Sequence, residues 1–288
     1  MSKRHFDKPK VIVIMGQTAT GKSALAVKIA KKIGGEIISA DSRQVYKGLD
    51  IGTGKIFTKE MKGISHYLID IESPKNKFTA AQFKELAEEK IKEIIARGKT
   101  PIICGGTGFY IDAITKGVVF PEVPPNYPLR KKLALANDRA LMLKLKKIDP
   151  ERAKNIDPKN KVRLIRAIEI AKALGKVPHL AVKPPSYKFI KIGLYLPAEK
   201  LKKKVAKRVK KMFNPPAGGG LLDEIKKLKK SGVSDKRLKE LGFEYYKPTQ
   251  EKVINGTMQY AKRQMTWFKR DKEIKWLNAS KITKDYPL

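Results

Sequence analysis

Short apolar runs alternate with stretches of helical periodicity over the first 120 residues. The apolar runs occupy residues 11–15, 36–40, 67–70 and 101–104, and apolar residues recur at helical spacing over 24–33 and 79–96. Strands that alternate with helices in this way are typical of a parallel sheet whose two faces are both covered. The pattern therefore predicts an α/β fold, with a parallel sheet core and helices on both faces.

The alternation stops at a proline-rich segment, residues 121–125. Residues 129–175 then show helical periodicity without a strand-like run, and a second proline-rich segment precedes a strand pattern at 189–196. The pattern from 198 to 272 is mostly helical, very basic and interrupted by a glycine-rich loop. We therefore predict a core formed by residues 1–120 and by 187–288, the return strand and basic helical part, with a helical insertion at 121–186.

The amino-acid composition indicates what kind of partner the protein binds. The 288 residues contain 64 Lys and Arg against 28 Asp and Glu, a formal net charge of +36. Such a charge favours a nucleic acid partner, although lysines merely solvated on helix faces are the alternative. The single cysteine, Cys104, excludes an intramolecular disulfide, and no apolar run is long enough for a secretory signal or a membrane span. We expect a cytoplasmic protein without a membrane partner.

A glycine-rich loop follows the first predicted strand and ends where the first predicted helix begins. It fills the G-x-x-x-x-G-K-[ST] pattern of phosphate-binding loops with Gly16, Gln17, Thr18, Ala19, Thr20, Gly21, Lys22 and Ser23. In such a loop, backbone N–H groups and the helix N-terminus surround one anion. Lys22 is expected to reach the terminal phosphates and the Ser23 hydroxyl to bind Mg²⁺. We predict a diphosphate or polyphosphate site at this loop.

Two aspartates follow predicted strands, at the edge where open parallel sheets bind their ligands. Asp41 comes directly after the second strand and is either a general base or the cap of a turn. Asp70 ends the third apolar run and either holds Mg²⁺ through water or caps a turn. The pattern alone leaves both pairs of alternatives open.

A second glycine-rich loop, residues 105–108, follows the strand that ends at Cys104. Its exposed N–H groups should lie at the same sheet edge as the first loop. Thr107 in this loop is either a donor to a phosphate oxygen or the cap of the next helix.

Arg208 is the candidate cation of the C-terminal part. The helix predicted over residues 199–213 carries an apolar stripe formed by Leu201, Val205, Val209 and Met212. Arg208 lies beside this stripe, so its guanidinium is expected to point inward and to pair with an anion. The sequence leaves open whether that anion is a structural carboxylate or a ligand phosphate.

The helix predicted around residues 258–270 presents two different faces. One is an apolar stripe of Met258, Ala261, Met265 and Phe268, and the other carries Tyr260, Arg263, Trp267 and Arg270. Aromatic residues interleaved with arginines suit stacking on bases, but the same face also suits packing against a loop or the insertion. The three histidines are too scattered to predict a metal site.

Taken together, these segments resemble the tRNA dimethylallyltransferase family, whose members isopentenylate adenosine 37. The matching segments are GQTATGKS (16–23), ISADSRQVYKGLDIGTGK (38–55), HYLID (66–70), FTAAQF (78–83), GGTGFYIDAITKG (105–117), NKVRLIRAIEI (160–170), GLLDEI (220–225) and QYAKRQMTWFKRD (259–271). They span nearly the whole chain in the family's order. The resemblance implies a P-loop NTPase-like core whose phosphate loop binds the diphosphate of dimethylallyl diphosphate and does not serve an ATPase.

The resemblance also implies roles for single residues. Asp41 would take the proton of the attacking adenine amine, while Lys22, Thr107, Arg208 and a Mg²⁺ held partly by Ser23 would stabilise the leaving diphosphate. The expected partner is the anticodon stem-loop of tRNA, with the adenine extruded from its stack, and the protein is expected to be a monomer. The residues expected to contact tRNA are Asp41, Ser42, Arg43, Gln44, Thr107, Arg130, Asn160, Lys161, Val162, Arg163 and Arg263.

The chain departs from the family pattern at three places. Gln17 stands where the family usually has proline, residues 242–245 read GFEY instead of GYKE, and the loop at 214–219 is longer than usual. None of these departures changes the residues expected to perform the reaction.

Three other interpretations of the same motifs remain open. They are a transferase that prenylates free adenine nucleotides, a P-loop kinase of small molecules, and a basic RNA-binding NTPase with Asp70 as its hydrolytic acid. The net charge of +36 and the helical insertion favour tRNA over a free nucleotide.

Overall fold

Six parallel strands form one sheet in the part of the chain that the computed structural model describes, residues 8–179, 181–215 and 218–282. The strands are β1 (Lys10–Gly16), β2 (Gly35–Ala40), β3 (His66–Tyr67), β4 (Thr100–Gly105), β5 (Lys188–Tyr195) and β6 (Lys275–Asn278). They lie side by side in the order β3-β2-β4-β1-β5-β6, and every neighbouring pair is parallel. The predicted α/β class with a parallel sheet is confirmed.

Helices cover both faces of this sheet. The described residues form the helices α1 (Lys22–Ile33), α2 (Thr58–Met61), α3 (Ala80–Ala96), α4 (Gly108–Thr115), α5 (Tyr127–Ala134), α6 (Asp138–Ile148), α7 (Pro150–Lys154), α8 (Lys161–Leu174), α9 (Ala198–Phe213), α10 (Leu221–Lys230), α11 (Asp235–Leu241) and α12 (Gln250–Phe268). Of these, α1 packs on one face of the sheet, and α3, α4 and α12 pack on the other. Side chains alternate along β1, because successive residues of a strand point to opposite faces. Ile14 packs with residues of α1, whereas Val13 and Met15 pack with residues of α3, α4 and α12.

The strand expected at residues 67–70 is wrong in extent. β3 ends at Tyr67, and Leu68 and Asp70 adopt φ of 60° and 56°. Positive φ is incompatible with an extended strand, so the chain turns there. Leu68 is buried all the same, with 4% of its surface exposed. The apolar run therefore predicted the burial of Leu68 correctly, but Leu68 is buried in a turn and not in a strand.

The hydrophobic pattern does not predict β6, which pairs with β5 at the sheet edge. Its four residues, KWLN, are exposed or half-buried. A strand this short and this weakly patterned gives no periodic signal that could be separated from a loop.

The C-terminal helices build a separate apolar cluster. The stripe predicted on α9 is confirmed, since Leu201, Val205, Val209 and Met212 are its buried residues. They pack with apolar residues of α10, α11 and α12 and with the segment that follows β2. This packing brings α9 and α12 toward the carboxyl ends of the strands, where the two glycine-rich loops lie.

The described chain divides into two compact units. The larger combines the residues up to Gly117 with those from Pro184 onward, and the smaller is Val118–Lys183. The smaller unit contains α5 to α8 around a core of its own, centred on Leu141, Leu145 and Leu164. Its bounds differ by three residues at each end from the insertion predicted at 121–186, and its helices agree with the periodicity of residues 129–175.

Candidate active site

The three loops singled out by the sequence follow three neighbouring strands. β2, β4 and β1 are adjacent in the sheet, so the loops after Ala40, Gly105 and Gly16 leave the same edge. They line a cavity of about 820 Å³ together with α9. Its lining includes Ser23, Lys22, Asp41, Gly106 and Arg208. The parallel sheet therefore brings together residues that are far apart in sequence, as expected for its carboxyl edge.

The phosphate loop has the backbone conformation that its glycines allow. Gly16 and Gly21 adopt φ of 127° and 94°, and a Cβ at Gly16 would overlap the carbonyl of Leu194 in β5. Helix α1 begins immediately after Gly21, so its free N–H groups face the cavity. The loop and the helix N-terminus together form a site for an anion.

Lys22 lies in the first turn of α1 and reaches back over the loop. Its Nζ donates to the carbonyl of Gln17 at 2.6 Å. Burial lowers the pKa of Lys22 to about 8, while the nearby Asp41 acts in the opposite direction. The ammonium is therefore mostly charged at neutral pH and incompletely balanced, which suits the binding of a phosphate oxygen.

Gln17, which stands where the family usually has proline, forms two hydrogen bonds to the end of β5 and the residue after it. Its backbone N–H donates to Leu194 O at 3.2 Å, and its side-chain oxygen accepts from Leu196 N at 2.9 Å. Proline has no N–H and no side-chain acceptor, so it would form neither bond. The departure therefore ties the phosphate loop to the end of β5 and leaves Lys22 in place.

Asp41 both caps a turn and lines the cavity. Its Oδ1 accepts from the backbone N–H groups of Arg43 and Gln44, at 2.8 and 3.3 Å. Both bonds go to the same oxygen. The capping role that the sequence allowed is therefore present, and it is compatible with a second role for a half-buried carboxylate at the cavity wall.

Thr107 occupies the N-cap position of α4, but its hydroxyl does not cap that helix. The hydroxyl oxygen instead accepts from Ser42 N at 2.9 Å and lies against the phenol of Tyr260. Thr107 thus joins the second glycine-rich loop to the turn that Asp41 caps. The helix-capping alternative for this side chain is wrong, because the oxygen is used across the two loops.

Arg208 enters the cavity from α9. Its Nη2 donates to Thr53 O at 2.9 Å, and it forms no ion pair within the described part of the chain. Gly54 makes this approach possible, because a Cβ there would overlap the guanidinium. Burial lowers the pKa of Arg208, and Asp41 and Glu244 partly offset this. A buried guanidinium without a carboxylate partner suits a phosphate ligand more than a structural ion pair.

Gln264 is a site residue that the sequence analysis missed. It lies in α12 with 4% of its surface exposed. Its Oε1 accepts from Thr18 N at 2.7 Å, and its Nε2 donates to Gly106 O at 2.9 Å. One amide therefore joins the phosphate loop to the second glycine-rich loop. A signal existed, since Gln264 stands on the stripe between Ala261 and Phe268, where a polar residue needs a buried partner.

The aromatic face of α12 packs against the second loop and α4. Tyr260 donates to Gly106 O at 3.2 Å, and Trp267 Nε1 donates to Asp112 Oδ2 at 3.2 Å. Of the two alternatives left open for these aromatic residues, packing against a loop is confirmed. Arg263 differs, because it is exposed and lies 6.0 Å from the centre of the Tyr260 ring.

A second cavity of about 300 Å³ shares Asp41 and Arg208 with the first. It is also lined by Ser42, Arg43 and Glu244, and by Arg263 and Tyr260 of α12. The guanidinium of Arg43 donates to Glu240 O at 3.1 Å. Burial raises the pKa of Glu244 to about 7, although Arg43 and Arg208 lower it. The chain thus places two carboxylates and three guanidinium groups around one small space.

The predicted tRNA residues of the smaller unit have definite local roles. Arg130 binds Glu169 through two bonds of 2.8 and 2.7 Å. Asn160 caps α8 by accepting from Arg163 N at 3.1 Å. Lys161, Val162 and Arg163 form the first turn of that helix, and Val162 is 78% exposed.

Asp70 does not line either cavity. Its carboxylate pairs with Lys55 at 2.5 Å, and Lys55 also pairs with Asp50 at 2.6 Å. The lysine itself is buried. This ion pair gives Asp70 a structural partner, and Asp70 lies outside the cavity where the NTPase interpretation would need it as the hydrolytic acid.

No helix in the described ranges is long and apolar enough to cross a membrane.

Comparison with known proteins agrees with the arrangement of these motifs. A family model described as IPP transferase matches residues 44–271. The tRNA dimethylallyltransferase of Halothermothrix orenii is 41% identical over 301 residues, covering 97% of this chain and 90% of that protein. That of Thermoanaerobacter sp. (strain X514) is 42% identical over 290 residues, covering 93% and 91%.

Comparison with solved structures points to the same group of enzymes. The full-length tRNA isopentenylpyrophosphate transferase of Bacillus halodurans has a TM-score of 0.70 and 35% identity, over 96% of this chain and 92% of that chain. A eukaryotic dimethylallyltransferase described as acting on tRNA has a TM-score of 0.77 and 26% identity, over 94% and 74%. The chain therefore belongs to the IPP transferase family, which includes the tRNA dimethylallyltransferases.

Proposed function

We propose that this protein transfers the dimethylallyl group of dimethylallyl diphosphate to N6 of adenosine 37 in the tRNA anticodon loop and releases diphosphate. The observation that carries the proposal is the convergence of Lys22, Arg208 and Asp41 on one cavity. Two cations that form no ion pair within the described residues suit the diphosphate, and a carboxylate beside them suits a proton acceptor. The tRNA substrate is the one that the names of the relatives give.

Each residue has a task in this reaction. The exocyclic amine attacks the allylic carbon, the bond from that carbon to the diphosphate oxygen breaks, and Asp41 accepts the amine proton. Lys22, Arg208, Thr107 and the N-terminus of α1 stabilise the negative charge that develops on the leaving diphosphate. The adenine must leave its stack to reach this carboxylate, so base extrusion is part of the proposal.

Mg²⁺ is the proposed cofactor, with the Ser23 hydroxyl as its protein ligand. Ser23 lies in the first turn of α1 at the cavity wall, next to the site proposed for the diphosphate. The described residues contain no group of three or more His, Cys, Asp or Glu that would hold a metal by themselves. Mg²⁺ fits such a site, because it commonly takes one or two protein ligands together with phosphate oxygens and water. When bound, it would neutralise charge on the diphosphate.

The tRNA would contact both units. In the larger unit we assign this role to Ser42, Arg43 and Gln44 beside Asp41, and to Arg263 on the exposed side of α12. In the smaller unit we assign it to Arg130 and to the first turn of α8, residues 160–163. Every residue proposed for the chemical step comes from one chain, which supports a monomer as the active form.

A side-by-side transfer assay tests the proposal. Allyl-labelled dimethylallyl diphosphate is offered with an unmodified tRNA transcript, with the same transcript carrying guanosine at position 37, and with AMP. We expect label only in the first transcript, and no hydrolysis of ATP stimulated by RNA. Equal labelling of AMP would favour the free-nucleotide transferase, and labelling of the guanosine transcript would refute the assigned position.

A further inference from the structure

Glu224 carries an unusual set of hydrogen bonds outside the residues assigned to the reaction. It lies in α10 with 8% of its surface exposed. Its carboxylate accepts from the backbone N–H groups of Asp50, Ile51 and Gly52, at 3.0, 2.6 and 3.1 Å. The Tyr245 hydroxyl donates a fourth bond at 3.0 Å. Within the described part of the chain Glu224 forms no ion pair, so these four neutral donors compensate its charge.

The segment held by Glu224 leads directly to Arg208. Thr53 follows Gly52, and its carbonyl accepts from Arg208 Nη2 at 2.9 Å. Gly54 comes next, with a φ of 58° and no room for a side chain beside the guanidinium. The position of the guanidinium therefore depends on the path of residues 50–54.

A neutral side chain could not replace the carboxylate here. A carboxylate offers two acceptor oxygens, and Glu224 uses both, Oε2 for Asp50 and Ile51 and Oε1 for Gly52 and Tyr245. Glutamine would keep one acceptor and turn an NH₂ group toward backbone N–H donors. The segment 50–54 would then lose at least one of its bonds while the volume of the side chain stays the same.

We propose that Glu224 is a positioning residue for the reaction, because it fixes residues 50–54 so that Thr53 O holds the Arg208 guanidinium at the cavity. The inference rests on the proposed function to the extent that Arg208 is assigned to the leaving diphosphate. It extends that function by naming a residue that does not touch the substrate. A merely structural Glu224 would stabilise the fold without acting through Arg208.

A double-mutant cycle separates these two roles. Glu224→Gln, Arg208→Ala and the double variant are compared for dimethylallyl transfer to tRNA and for the binding of inorganic pyrophosphate by calorimetry. With Arg208 present, we expect Glu224→Gln to lower kcat by about ten- to a hundredfold and pyrophosphate affinity by about tenfold. In the Arg208→Ala background the same change should lower both by less than about twofold.

A matched control is Glu36→Gln, another buried carboxylate with 4% exposure, held by Lys99 and Arg97 at the start of β2. It should lower stability without lowering pyrophosphate affinity. If Glu224→Gln does not fold, Tyr245→Phe removes one of the four donors and should lower kcat by about two- to fivefold, again only with Arg208 present.

Equal losses in both Arg208 backgrounds would overturn the inference and make Glu224 a structural residue. The pyrophosphate measurement keeps this outcome separate from the proposed function. A wild type that binds pyrophosphate but transfers nothing to tRNA would refute the function, while the coupling between Glu224 and Arg208 would still be decided by the binding cycle.

Discussion

Replacing Gln264 by methionine tests the idea that one amide holds the two glycine-rich loops together. Methionine keeps the length and approximate volume of the side chain but removes both polar groups. Thr18 N–H and Gly106 C=O would lose the partners that now lie at 2.7 and 2.9 Å. A buried polar group left without a partner costs about 1–3 kcal/mol, so two such groups give an expected loss of about 2–6 kcal/mol in unfolding free energy.

Urea unfolding monitored by circular dichroism measures this loss, and transfer kinetics on the folded variant measure its effect on the site. We expect kcat to fall by at least about tenfold, because the N–H groups of the phosphate loop would no longer be fixed relative to Thr107. Gln259→Met is the matched control, since Gln259 is exposed on the same helix and should change stability by less than about 0.5 kcal/mol. A Gln264 variant as stable and as active as the control would refute the reasoning.

Four further substitutions test single groups. Lys22→Ala should raise the dissociation constant of inorganic pyrophosphate by at least about tenfold, and unchanged affinity in calorimetry would remove Lys22 from the diphosphate site. Asp41→Asn keeps an acceptor for the turn but removes the base, so kcat should fall by about 10²–10⁴-fold with tRNA affinity unchanged; a variant that unfolds readily but retains its rate would make capping its main role. Arg163→Ala should reduce the slope of log tRNA affinity against log salt by about one unit while pyrophosphate still binds normally, and an unaltered slope would exclude a phosphate contact. Burial raises the pKa of Glu244 from 4.5 to about 7, so the folded protein holds this proton more tightly than the unfolded chain does. The contribution of Glu244 to the free energy of unfolding is therefore fully present below pH 4.5 and is lost as the pH rises through 7. Glu244→Gln should therefore gain about 1–3 kcal/mol relative to the wild type across that range, whereas parallel stability curves would contradict the raised pKa.

The sequence predicted those parts of the fold whose signal is local. Five of the six strands, the phosphate loop and the buried stripe of α9 follow from apolar periodicity and glycine spacing. The turn at Leu68 and Asp70 could not be predicted, because an apolar run indicates burial but not the backbone dihedral angle φ. Strand β6 could not be predicted either, since a four-residue edge strand depends on its pairing with β5.

For the candidate site, the sequence identified groups but not their partners. Residue type and position pointed to Asp41, Thr107 and Arg208. The oxygen that Arg208 binds depends on a contact across more than 100 residues, from Arg208 to Thr53. The capping by Asp41 is local, but residue type alone did not separate it from the role of a base. Gln264 and Glu224 were missed because both bind backbone groups of a segment far away in the sequence.

The two hydrogen bonds of Gln264 also bear on when the site comes into existence during synthesis. They join α12 to residues 246 and 158 positions earlier in the chain. The phosphate loop leaves the ribosome well before α12, the helix that carries the amide fixing this loop to the second glycine-rich loop. Contacts of such long range form late in folding. A nascent chain that already displays its phosphate loop should therefore have no assembled catalytic pocket, and transferase activity should appear only once α12 has emerged and docked.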